Sequence, residues 1–118
     1  MSPRPITVVE LATFLRSAAA AGMSDEERSE LVDFLARNPL RGDLVEGTGG
    51  LRKLRWARRG SGKSGGYRTV YFYCDDHVPI YAILVYGKGQ QADLSQAQRK
   101  AAAGFVSELK RTLRAGRG

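Results

Sequence analysis

Cysteine and histidine are nearly absent from this chain: Cys74 and His77 are the sole representatives of their types. One cysteine forms no intramolecular disulfide, which fits a reducing compartment. One histidine excludes paired-imidazole centres. Its neighbours Asp75 and Asp76 share a turn with it and make a poor coordination geometry, so no metal and no cofactor is expected. A Ser-His-Asp hydrolase, which needs a placed third member, is set aside too. Long apolar runs are also missing. None approaches the roughly 20 residues that span a bilayer, and the start of the chain, with Pro3, Arg4 and Pro5, lacks the apolar stretch of a signal peptide. The expectation is a cytoplasmic protein without membrane association.

Acidic residues are scarce over most of the sequence, and unevenly so. The net charge of +7 hides five basic and eight acidic side chains in residues 1–46, against fourteen basic and four acidic in residues 47–118. Between Glu46 and Asp75 there is no acid, while Arg52, Lys53, Arg55, Arg58, Arg59, Lys63 and Arg68 all fall there. Basic surfaces attract phosphate backbones by releasing counter-ions, which makes nucleic acid the default partner. A solvated face, or a surface covered by an acidic protein, is the plainer alternative. A hydrophobic share of 42% excludes wholesale disorder, and 118 residues suit one domain with one modest core, spanning 1–118.

Periodicity supplies the elements. Ile6 to Leu11 is β-branched and apolar, a first strand. Thr13 to Ala21 is an alanine-rich short helix stopped by Gly22. Ser24 and Glu27 have capping-box spacing, and Leu31, Phe34 and Leu35 give the following helix an apolar stripe ending near Asn38-Pro39. The glycine-rich Gly42–Gly50 leads into Leu51–Ala57, where Leu54 and Trp56 share one face and Lys53 and Arg55 the other. After a basic loop, Arg58–Gly66, come strands at Tyr67–Cys74 and Val78–Tyr86, turned by Asp75-Asp76-His77. Ser95 to Leu113 is helical through Phe105, Leu109 and Leu113, with residues 114–118 a frayed tail. Consecutive strands with short turns pair antiparallel. The fold class is α+β: an N-terminal strand and helices, a three-stranded antiparallel meander and a C-terminal helix, with the helices covering one face.

Gly60–Ser64 (GSGKS) has the ending of a phosphate-binding loop. However, Ala57 stands where the first glycine belongs, and the sequence runs on into a strand instead of a helix, so nucleotide-triphosphatase activity is not expected. The remaining constellation is cationic and aromatic. Lys53 and Arg55 project from one strand, Arg68 lies on the next, and Tyr86, Gly87 and Lys88 end the third. Strands about 4.8 Å apart let such side chains converge on one groove. Crowded cations are costly without an anion, which makes the cluster a phosphate-site candidate. Tyr67 and Tyr86 are candidate stacking surfaces for unpaired bases, whereas Tyr71, Tyr73 and Tyr81 read as core or sheet residues.

The run Gly42–Arg55 (GDLVEGTGGLRKLR), the run Gly62–Tyr71 (GKSGGYRTVY), and Val85-Tyr86-Gly87-Lys88 followed by Asp93-Leu94-Ser95 together resemble the RelE/HigB family of toxins, with a likeness covering nearly the whole chain. The resemblance implies a RelE-like α+β endoribonuclease that cuts messenger RNA on the ribosome without metal or cofactor. In that chemistry the ribose 2′-hydroxyl attacks the adjacent phosphate, leaving a 2′,3′-cyclic phosphate and a 5′-hydroxyl. It further implies a cognate antitoxin of helix-turn-helix, HigA-like type. Carried over residue by residue, it makes Lys53, Arg55, Arg68 and Lys88 catalytic, and adds Arg52, Lys63, Tyr67 and Tyr86 as RNA contacts. Gly89 and Ser95 depart from the family pattern, which has a basic residue and a tyrosine there; Tyr86 or Lys63 then stands in as proton donor. On this reading a Lys53 crowded by Arg55 and Arg68 loses its proton readily and acts as base. The competing readings are a non-enzymatic nucleic-acid-binding module and a ParE-like, gyrase-inhibiting toxin.

Overall fold

The computed structural model describes residues 4–57, 66–87 and 89–117. The elements are β1 (Val8–Glu10), α1 (Ala12–Ala20), α2 (Asp25–Arg37), β2 (Asp43–Leu44), β3 (Leu51–Trp56), β4 (Tyr67–Phe72), β5 (Ile80–Gly87) and α3 (Gln96–Arg117). They form one five-stranded sheet of order β1-β5-β4-β3-β2. The antiparallel meander expected from the sequence is β3-β4-β5. β1 pairs parallel to β5, and the two-residue β2, unforeseen in the glycine-rich connection, pairs antiparallel to β3.

Strand alternation then decides what goes where. Leu54, Tyr67, Tyr71, Ala82 and Val85 belong to a core shared with Phe14, Leu31 and Leu35 of α1 and α2. The alternate residues Leu51, Val70 and Phe72, together with Ile83, form a second core with Ala102 and Val106 of α3. Helices therefore cover both faces, not one. A single meander whose two sides are both largely apolar needs two covers, and β4 is buried at five of its six positions. α3 also continues to Arg117, through the segment where the sequence favoured a frayed tail.

Local chemistry explains the joins. Ser24 caps α2: its hydroxyl accepts from the Glu27 N–H, and the Glu27 carboxylate accepts from the Ser24 N–H. A register shift on β5 skips Ile83 between the pairs Tyr71↔Ala82 and Val70↔Leu84. The Ile83 carbonyl is taken by the Thr13 hydroxyl at 2.7 Å, and the Val85 N–H donates to Ser17 at 2.9 Å. Two hydroxyls on α1 thus satisfy the edge of β5 beyond the end of β1.

The connection entering β2 is tied just as closely. The Tyr71 hydroxyl donates to the Pro39 carbonyl at 2.7 Å and accepts from the Gly42 N–H at 2.9 Å. A Cβ on Gly42 would stand 2.8 Å from that hydroxyl oxygen and 3.1 Å from the Lys53 carbonyl, so only glycine passes here without a shift.

Candidate nucleic-acid interface

The row that crosses β3, β4 and β5 at one end of the sheet is Arg55↔Arg68↔Tyr86. All three lie on the face that α3 covers further along, where the next row, Lys53↔Val70↔Leu84, begins the apolar patch. Like charges directly opposite on neighbouring strands destabilise a sheet. Among the described residues no carboxylate pairs with either Arg55 or Arg68. The Arg68 guanidinium makes one long contact, 3.5 Å to the Tyr67 carbonyl, and Arg55 is exposed. Two arginines at directly paired positions on an open sheet end can bring both forks to a shared anion.

Lys53 departs from the sequence reading. Its ammonium donates to Asp93 Oδ1 at 2.8 Å, so it is neutralised by a carboxylate and is not an isolated member of a cation cluster. The same Oδ1 accepts from the Leu94 N–H at 2.8 Å and from the Tyr86 hydroxyl at 3.4 Å. The Lys53 hydrogen bond, foremost, together with the Leu94 amide, holds the Asp93 carboxyl below the usual carboxylate range. Burial, reinforced by the charge of Asp93, pushes the Tyr86 phenol up to about 12, with nearby Arg68 opposing. Asp93 is the site residue that sequence reasoning passed over. The one signal was its isolation, as the only acid between Asp76 and Glu108.

Two expected RNA contacts lie elsewhere. Arg52 points to the opposite face, and its guanidinium donates to the carbonyls of Gly42 at 2.7 Å and Leu40 at 3.3 Å. Tyr67 is wholly buried in the core under α1 and α2, its hydroxyl 3.5 Å from Glu27. Both follow from the period of two: neighbours of groove residues on a strand face away from the groove. Tyr86 is in the group, but it is 97% buried, packed within the second core with its hydroxyl alone addressing the site. It offers no open ring for stacking. Lys63 and Lys88, and the GSGKS run, lie outside the described residues.

The structure adds surroundings the sequence did not suggest. β2 pairs only as far as Lys53, and among the described residues no strand pairs with that edge of β3 beyond it. There a cleft of about 550 Å³ runs from Arg55 and Arg68 to Phe34, Trp56 and Arg41. The Phe34 and Trp56 rings lie 5.1 Å apart, and the Arg41 guanidinium sits 5.6 Å from the Phe34 ring centre. The cleft gathers cations for phosphate oxygens, the carboxylate of Asp43 and an aromatic margin, while the phenol of Tyr86 lies outside its lining and meets the site through Asp93. No described helix is long and apolar enough to cross a membrane.

Comparison with known proteins supports a family assignment. The family described as "RelE toxin of RelE / RelB toxin-antitoxin system" matches residues 7–115. Among solved structures, a mutant of the E. coli toxin RelE in the free state is similar in fold. It has 18% sequence identity and a TM-score of 0.51, covering 75% of this chain and 88% of that one.

Proposed function

Since the chain belongs to the RelE toxin family, and is the toxin of a toxin-antitoxin pair, we propose that the Arg55–Arg68 end of its sheet is the active face of an endoribonuclease. The substrate is messenger RNA, cut on the ribosome without a metal ion. The observation that carries this reading is the pair of directly opposed arginines, free of carboxylate partners among the described residues. In the proposed reaction the 2′-hydroxyl gives its proton to solvent and its oxygen bonds to the adjacent phosphorus. The bond from phosphorus to the 5′-oxygen breaks, and that oxygen takes up a proton from solvent, leaving a 2′,3′-cyclic phosphate and a 5′-hydroxyl. The arginine forks stabilise the charge that accumulates on the phosphate oxygens, the largest single contribution in such a site. Tyr86, protonated far above neutrality, is a hydrogen-bond donor suited to the departing oxygen. Lys53 acts as a cation toward the phosphate, because its pairing with Asp93 removes the argument for a neutral amine. Lys88 completes the catalytic set and Lys63 the RNA contacts on the strength of the family resemblance. A HigA-like antitoxin is the expected partner.

The test is cleavage of end-labelled messenger RNA with and without ribosomes, in the presence of a chelator, with the chemistry of both product ends determined. Cyclic phosphate and 5′-hydroxyl ends that vanish in an Arg55→Ala/Arg68→Ala double variant are the expected result. A folded protein that binds RNA without cutting it in either setting would return the reading to a binding module. Inhibition of gyrase would return it to a ParE-like toxin.

A further inference from the structure

Two carboxylates stand beside the cationic groove: Asp43, which lines the cleft at the position paired with Lys53, and Asp93, the one that Lys53 engages. The chain from residue 47 onward has four acids. Two of them, Asp75 and Asp76, sit in the turn before β5, and Glu108 is paired with Arg111 on α3. The fourth is placed on Lys53. Its position is built rather than casual. Gln91 Nε2 donates to the Asp93 carbonyl at 2.7 Å and to Gln98 Oε1 at 2.7 Å. Ser95 and Gln98 cap the start of α3 reciprocally, and Gln90 closes the turn on the Gly87 N–H at 2.8 Å. From this tied turn a single oxygen, Asp93 Oδ1, receives an ammonium from β3, a phenol from β5 and a backbone amide. Those are the donors a phosphate oxygen takes in a phosphate site.

Resting on the reading of this face as an RNA site, we propose that Asp93 is an internal phosphate surrogate. It is a positioning residue that holds Lys53 and Tyr86 in the arrangement an RNA phosphate takes over, and it must be displaced when RNA binds. The exposures suit the exchange. The Asp93 side chain is 66% exposed and has water to swing into, while that of Lys53, 31% exposed, stays seated on the sheet. An ion pair this open is weak enough to be replaced and strong enough to lower affinity measurably.

Two consequences distinguish a surrogate from a structural link. Removing its charge removes the competitor. Asp93→Asn keeps an oxygen for the Leu94 amide, and it should bind single-stranded RNA about fivefold more tightly at physiological ionic strength. The salt dependence should change as well. In the parent, the displaced carboxylate takes up a counter-ion and cancels one released from RNA. Asp93→Asn should therefore show a log–log salt slope steeper by about 0.7, the increment for one phosphate on a single strand. The probe is a fluorescein-labelled single-stranded RNA carrying 2′-O-methyl groups throughout, which cannot be cleaved, followed by anisotropy. Asp93→Ala serves as a second variant, and thermal melts verify folding. Both variants should bind more tightly than the parent, and the gain should fall below about twofold in a Lys53→Met background. Equal or weaker binding by both variants overturns the proposal, as does a gain that persists without Lys53. Because the probe is inert, a protein that binds it but cuts no messenger leaves this inference standing while removing the nuclease. If neither parent nor variants bind at low salt, both readings fall.

Discussion

Arg55 and Arg68 occupy directly paired positions on neighbouring strands, and like charges so placed repel until an anion lies between them, which makes the two arginines informative targets. Arg68 leaves the sheet from the second residue of β4, so its backbone is fixed while its fork reaches the open end. Under the proposed function, Arg68→Ala should slow single-turnover cleavage by about 10²–10³ with circular dichroism unchanged. Arg16→Ala, on the exposed side of α1, should lose only screened long-range attraction. Equal losses in the two variants would remove Arg68 from the catalytic role. The tyrosines give a pH test at the same scale. Tyr86 is raised to about 12 by burial foremost, and Tyr73 to about 12 by its hydrogen bond to Asp76. A folded pKa above the unfolded value means stability fully present below about pH 10 and lost as pH rises through about 12. Denaturant midpoints should therefore fall over that alkaline window. The fall should be shallower in Tyr73→Phe and Tyr86→Phe; an unchanged slope would show that neither phenol is held as described.

At the scale of elements, the connection into β2 and the cap of α2 carry stability that the site borrows. Arg52, Tyr71 and Gly42 knot residues 39–42 against the outer strands. Arg52→Met leaves the Leu40 and Gly42 carbonyls without that donor. It should cost about 1–3 kcal/mol in chemical denaturation while changing RNA affinity far less than Arg55→Met does. The reverse ranking would restore Arg52 as an RNA contact. Gly42→Ala forces apart the Tyr71 ring or the β3 backbone and should cost a comparable amount. Ser24→Ala loses one side of the capping box, about 1 kcal/mol, with cleavage intact because Ser24 caps the end of α2 opposite to Phe34, the residue of that helix that lines the cleft.

The molecule as a whole is divided in charge: the acidic stretch 1–46 supplies α1 and α2, and the strongly basic remainder supplies the meander and α3. Such a field draws polyanions to the basic part, so a partner that keeps the toxin silent needs to screen it. Production of the chain alone should arrest growth, and production with its antitoxin should restore growth and yield a complex through affinity purification. Normal growth with abundant soluble toxin would count against the proposed activity.

The elements were legible in the sequence because each is written in local chemistry. The period of two puts Lys53 and Arg55 opposite Leu54 and Trp56, and the Ser24–Glu27 spacing opens α2. Pairing across strands was not legible. It depends on register, and a β-bulge at Ile83 that no local motif announces brings Tyr86 level with Arg68. Arg52 and Tyr67 face away from the groove by the period of two itself, as neighbours of Lys53 and Arg68, whereas the placing of α3 on the second face was decided by packing between elements. A charge run cannot show on which side of a strand each cation falls relative to the cores. The sequence by itself determined the α+β class, the charged half and the family likeness, through periodicity, composition and motif order. Only the tertiary structure decided that Asp93, forty residues from Lys53, stands against it, because ion pairs form where chain segments meet in space.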